Sequence, residues 1–167
     1  CGGGTAVDPC DPEWMLRVDQ GMSGGISPNI QEGSFNEILV ATTVDNGTDL
    51  DMRFMKLDEW GMILWDKTLG GTGDDKGTRM VPTEDGGHLL HGVTTSYGSG
   101  GQDAFLMKLA ADDTIEWQYA FGGSGDDSTG SAIQTSDGGY AIAGQTTSYA
   151  GSDWDWFVLK LDSPGGF

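Results

Sequence analysis

Positive charge is what this chain has least of. Eight Lys and Arg stand against 26 Asp and Glu, a formal charge of −18. Nucleic-acid phosphates are bound through Lys and Arg, so nucleic acid is not an expected partner. Asp far outnumbers Glu; Glu favours helices and Asp favours turns, so helices are not expected either. Proline is scarce at 5 residues. No apolar run approaches the roughly 18 residues that span a bilayer, and no heptad pattern persists. The two cysteines, Cys1 and Cys10, form no CxxC or CxxCH motif, which excludes zinc-ribbon and c-type haem readings. No P-loop, HExxH or Ser-His-Asp pattern stands out. The two histidines, His88 and His91, are three residues apart on a predicted strand and therefore point to opposite faces rather than to one metal.

What is present is a repeat. Asp51-Met52-Arg53-Phe54-Met55-Lys56-Leu57 returns as Asp103-Ala104-Phe105-Leu106-Met107-Lys108-Leu109 and again as Asp155-Trp156-Phe157-Val158-Leu159-Lys160-Leu161, at a constant step of 52 residues. The same step carries Gly70–Asp75 onto Gly122–Asp127, Asp85-Gly86-Gly87 onto Asp137-Gly138-Gly139, Thr42-Thr43 onto Thr94-Thr95 and Thr146-Thr147, and Trp65 onto Trp117. Such self-similarity marks an array of supersecondary units.

Each unit resolves into four short strands, numbered here on the second: residues 77–83, 88–96, 103–109 and 114–121. They are separated by DGG, Gly/Ser and Asp turns, as antiparallel β structure requires. The expected fold is all-β, with units at about 20–69, 70–121 and 122–162. Residues 13–19 (Glu13-Trp14-Met15-Leu16-Arg17-Val18-Asp19) resemble the fourth strand, with Trp14 near the place of Trp65. They precede the first unit, and the last unit shows only three strands. That offset strand would complete the last unit of a closed ring, or of another chain, and so remove an exposed sheet edge.

The segments DGGYAIAGQTTS, DWDWFVLKLD and WQYAFGGSGDD resemble a repeat of about 50 residues in secreted and surface proteins of bacteria and archaea. The resemblance covers residues 33 to 162 and implies β-propeller blades, similar in logic to kelch blades. The first unit departs from it, with Ser34-Phe35-Asn36 in place of DGG and Met22–Asn29 in place of GGSGDD. Three blades do not make a usual ring, so two chains forming one ring, end-to-end joining of chains, or a three-unit β-trefoil are the alternatives. The start, Cys1-Gly2-Gly3-Gly4, resembles a mature bacterial lipoprotein. In that reading Cys1 is lipidated, residues 1–12 are a tether, and a membrane enters only through the lipid; a Cys1–Cys10 disulfide is the alternative.

Candidate chemistry is sparse. Asp74, Asp75, Asp126 and Asp127 lie in Gly-rich loops and are read either as calcium ligands or as carboxylates that bond backbone N–H groups across the turn. Lys56, Lys108 and Lys160 recur among apolar neighbours and predict a fixed carboxylate or loop-carbonyl partner. Trp65, Trp117, Phe54, Phe105 and Phe157 are predicted core between blades. Tyr97, Tyr149, Trp154 and Trp156 sit at loop edges, where they either stack on sugars or pack at blade rims. The expectation is a non-enzymatic extracellular or cell-surface protein that self-associates and contacts surface proteins, with carbohydrate binding as the alternative.

Overall fold

The computed structural model describes residues 28–149 and 153–166. Cys1, Cys10, Trp14 and the fourth-type segment 13–19 therefore lie outside the described residues, as does most of Met22–Asn29.

Among the described residues eleven strands form three antiparallel sheets. The first is β1 (Asn29–Glu32), β2 (Ile38–Asp45), β3 (Leu50–Leu57) and β4 (Ile63–Leu69), in that spatial order. The second is β5 (Asp75–Pro82), β6 (His88–Thr94), β7 (Asp103–Leu109) and β8 (Ile115–Phe121). The third is β9 (Asp127–Gln134), β10 (Tyr140–Thr146) and β11 (Asp155–Leu161), with β10 in the middle. Each sheet is thus a meander drawn from one repeat unit, a propeller-like blade. A trefoil would pair strands of all three units around one barrel; among the described residues every ladder stays within its own unit, so the trefoil alternative does not hold.

The local causes are legible in the turns. Gly86 and Gly138 adopt φ of 81° and 80° in the two DGG turns, a conformation open to glycine without a Cβ clash. In the first unit the pairing of Glu32 with Ile38 puts Asn36, at φ 62°, in the place of Gly86, with Phe35 before it at φ 58°, within a short 3-10 turn over Ser34–Asn36. The turn after the third strand needs the same left-handed residue: Gly61 and Gly165 supply it in units one and three, but Asp113 (φ 64°) in unit two.

The blades stack face to face. Every residue of β6 and β7 is buried, because the second blade is covered on both faces. Leu39, Ala41, Met52 and Phe54 of the first blade pack with Met80, Leu90, Phe105 and Met107 of the second. Leu89 and Leu106, on the second blade's other face, pack with Tyr140, Ile142 and Leu161 of the third. Phe54 and Phe105 are buried as predicted, and Trp65, Trp117 and Phe157 are half-buried. Trp117 meets Tyr140 of the next blade edge-on at 5.5 Å between ring centroids.

Two strand boundaries differ from the sequence reading by two residues. The first strand of unit two starts earlier, at Asp75, and the second ends at Thr94 rather than Ser96. The Thr94 hydroxyl accepts the N–H groups of Ser96 and Tyr97 at 3.0 and 3.1 Å, which turns the chain out of the ladder. The 52-residue step also fails in β2. Thr94 and Thr146 stand opposite Asp103 and Asp155, but Val44, not Thr42, stands opposite Asp51. Six residues lie between the paired Val44 and Asp51, against eight between Thr94 and Asp103, so the pairing register moves, and the Thr42 and Thr43 hydroxyls are buried without partners.

Candidate functional site

The Gly-rich loops and the repeated lysines lie at opposite ends of the blades: in the second blade Thr94 and Asp103 pair at the loop end, and His88 and Leu109 at the lysine end. In the second unit Asp75 is fully buried. Its Oδ2 accepts the Gly71 N–H at 2.9 Å and the Ser96 hydroxyl at 2.6 Å. In the third unit Asp127 does the same with Gly123 at 2.9 Å and Ser148 at 2.6 Å. The first aspartate of each pair reaches back to the preceding blade. Asp74 Oδ1 accepts the Leu50 N–H at 3.1 Å, and Asp126 Oδ1 accepts the Gln102 N–H at 2.9 Å. One Asp therefore shapes its own loop while the other ties two blades together. The N–H of Asp127 completes the second seam by donating to the Gln102 carbonyl at 2.6 Å.

These bonds are the backbone-capping role foreseen for the Asp pairs. Among the described residues no group of three or more His, Cys, Asp or Glu side chains is placed to hold a metal ion. Tyr97 and Tyr149 serve the same loops. Their hydroxyls donate to the carbonyls of Gly70 and Gly122 at 2.8 and 3.4 Å. Trp154 lies elsewhere, lining an open cleft of about 540 Å³ with Thr95, Gln102 and Asp126. Trp156 points outward from the third blade and is 80% exposed. The four aromatic residues thus do not form three equivalent sites.

Each repeated lysine has its predicted partner. Lys108, fully buried, donates to Asp85 of its own DGG turn at 2.8 Å and to the Leu109 carbonyl at 2.7 Å. Lys160 repeats this with Asp137 and the Leu161 carbonyl. Burial alone would raise the Asp85 pKa, but the Lys108 ammonium, the Thr83 hydroxyl and the Gly87 N–H bring it down to about 2. In the first unit Phe35, not the Ser34 expected from the sequence, stands at the place of the turn aspartate, and Lys56 instead bonds both Asp113 oxygens of the next blade at 3.0 Å, with Glu37 3.5 Å away. The ammonium has exchanged a partner within its blade for one across the seam.

His88 enters that first seam. It is 1% exposed, 3.6 Å from Glu37 and 3.9 Å from Asp113. Burial lowers its pKa, as does Lys56, against the pull of the two carboxylates. His91 faces the third blade instead, with Nδ1 3.1 Å from the Thr129 hydroxyl. Burial, aided by Arg79, lowers its pKa to about 4. The two rings thus serve opposite faces, as their spacing predicted.

Glu37, Asp113, Ser96 and Ser148 are the participants that the sequence reading did not select. The serines were detectable, since Thr-Thr-Ser recurs at 94–96 and 146–148. Glu37 and Asp113 carry no repeat signal, because they belong to one seam only. No family model matches the chain, and no curated protein is significantly similar to it.

Proposed function

We propose that the protein is a non-enzymatic repeat protein of the cell surface or extracellular space, and that it self-assembles head to tail through its third blade. One observation carries this reading. Ile133, Trp156 and Val158 on the outer face of the third blade are 57%, 80% and 64% exposed. At the equivalent positions of the second blade stand Val81, Ala104 and Leu106, and the last two are fully buried beneath the third blade. The exposed face is therefore the repeat of a surface that a following blade covers, and β11 is one of the two edge strands of its sheet among the described residues.

The occupant is a second copy of this chain. Its segment 13–19 has the pattern of β4 and β8 and would add antiparallel to β11. Its first blade would follow that segment over the outer face, as β9 follows β8 within the chain. A contact between two different surfaces of one molecule propagates into a ring or a filament. The acidic composition and the resemblance to surface repeats support the location, and the repeated, mutually bonded polar groups support a structural role rather than catalysis. Sedimentation velocity tests this. The wild type should shift to larger species with concentration, and Val158→Asp and Trp156→Ser should remain monomeric. A wild type that stays monomeric at all concentrations would refute it.

The cleft at Trp154 favours a second reading, carbohydrate binding. An exposed indole beside Gln102 and Asp126 offers a stacking face with hydrogen-bonding neighbours. Glycan-array binding that Trp154→Ala abolishes would support it, and an array without signal would exclude it.

A further inference from the structure

The second seam holds two buried carboxylates that face each other. A Cβ on Gly122 would stand 2.2 Å from Asp103 Oδ1 and 2.4 Å from Asp127 Oδ2, so both oxygens border the space that the missing side chain leaves. Asp103 is 1% exposed and Asp127 2% exposed. Asp103 Oδ2 accepts the Ser99 N–H at 2.9 Å, but Asp103 Oδ1 is buried with no hydrogen-bond partner. No Lys or Arg is paired with either carboxylate among the described salt bridges. The Asp103 pKa is raised, by burial first and by the Asp127 charge in addition, against the Ser99 N–H.

The first seam repeats the arrangement. Gly70 has Asp51 Oδ1 and Asp75 Oδ2 beside its absent Cβ, at 1.8 and 3.1 Å, and Asp75 Oδ1 is buried without a partner. Two unneutralised carboxylates at this depth are costly, since an unpaired buried charge or acceptor is strongly unfavourable. A counter-charge between them removes that cost.

We infer that Asp103 and Asp127 bind one divalent, oxygen-preferring cation of the calcium class at the seam between the second and third blades. The two carboxylates supply its charge complement, and glycine carbonyls of the surrounding loops supply neutral oxygens. Calcium suits such a site better than magnesium. It takes six to eight oxygens in flexible geometry, whereas magnesium demands a near-ideal octahedron. The carboxylates that the sequence singled out divide accordingly: Asp74 and Asp126 tie backbone, while Asp127 faces Asp103 across the seam.

The competing occupant is a proton shared by the same pair, and one experiment separates the two. Thermal unfolding of the whole chain is followed in EDTA, in CaCl2 and in MgCl2 at neutral pH, with calcium titration calorimetry beside it. The inference expects CaCl2 to raise the melting temperature, MgCl2 to do so less, and calorimetry to show binding. Asp103→Asn should weaken calcium binding at least about tenfold, because one of the two charged ligands is lost. It should also melt higher than the wild type in EDTA, where the repulsion is no longer present. Asp155→Asn, the exposed repeat equivalent, should leave calcium binding unchanged. A wild type with no calcium heat and no calcium-dependent shift, stabilised instead by acidification from neutral pH to about pH 5, would show a shared proton and overturn the inference. Unaltered calcium binding by Asp103→Asn would overturn it equally.

Discussion

Lys108 and Lys160 make the same bonds in two surroundings, and that pairing yields a quantitative prediction. Asp85→Ala and Asp137→Ala delete equivalent groups. Each removes a bond to a threonine hydroxyl, a bond to a glycine N–H and a bond to the lysine. The turn contributions therefore cancel when the two variants are compared. The difference that remains is burial: the Lys108 side chain is 1% exposed and that of Lys160 46%. Breaking a fully buried ion pair from one side costs about 3–5 kcal/mol. Here Glu116, 3.2 Å away, and the Leu109 carbonyl still attend the ammonium. The expected cost of Asp85→Ala is therefore lower, about 2–3 kcal/mol. Asp137→Ala should cost only a small part of that, because its lysine returns to water. Urea unfolding followed by far-ultraviolet circular dichroism measures both. Equal losses would refute the argument, because they would assign the energy to the turn and none to the buried charge. Asp85→Ala combined with Lys108→Met should recover most of the loss, since a buried apolar side chain of similar size leaves no stranded charge.

Phe35→Gly should stabilise the protein by about 1 kcal/mol, because Phe35 is 91% exposed and sits at φ 58°, where a side chain brings strain without contacts; an unchanged urea midpoint would contradict this. Gly122→Ala should destabilise strongly, since its Cβ would meet the two facing carboxylates, and a lowered melting temperature checks it. Burial lowers the His91 pKa from 6.5 to about 4, so the unfolded chain takes up this proton before the folded one. Its contribution is present above pH 6.5 and declines as pH falls toward about 4. His91→Ala, which copies Ala143 of the third unit, should remove that part of the acid sensitivity in a pH series of melting temperatures. For Asp85 the folded pKa is likewise depressed, so its contribution is complete above the ordinary carboxylate value and is lost as pH falls toward about 2.

Much of the fold was legible because the repeat fixes phase. The strand Asp103–Leu109 appears where the sequence placed it, and all three lysines found the carboxylate or carbonyl partners expected of a charge among apolar neighbours. What escaped was whatever belongs to a single seam. Asp113 takes a left-handed position that glycine holds in the other units, and its carboxylate serves Lys56, whose own turn has Phe35 in place of aspartate. That substitution pair spans 78 residue numbers, from Phe35 to Asp113, so no local pattern could join its two halves. The register change at Val44 was hidden for a similar reason, because Thr42-Thr43 matched Thr94-Thr95 by letter while the shorter connection moved the ladder. At the candidate site the Asp pairs were found, but their division of labour depends on which blade each one faces.

The proposed assembly is tested most directly by hydrogen exchange at β11 as protein concentration rises. Head-to-tail stacking predicts that the amides of Asp155–Leu161 that do not bond β10 become protected with concentration, in step with the growth of larger species, and that Val158→Asp leaves them unprotected. Exchange at these amides that is unchanged with concentration, while larger species still form, would place the association elsewhere and contradict the account.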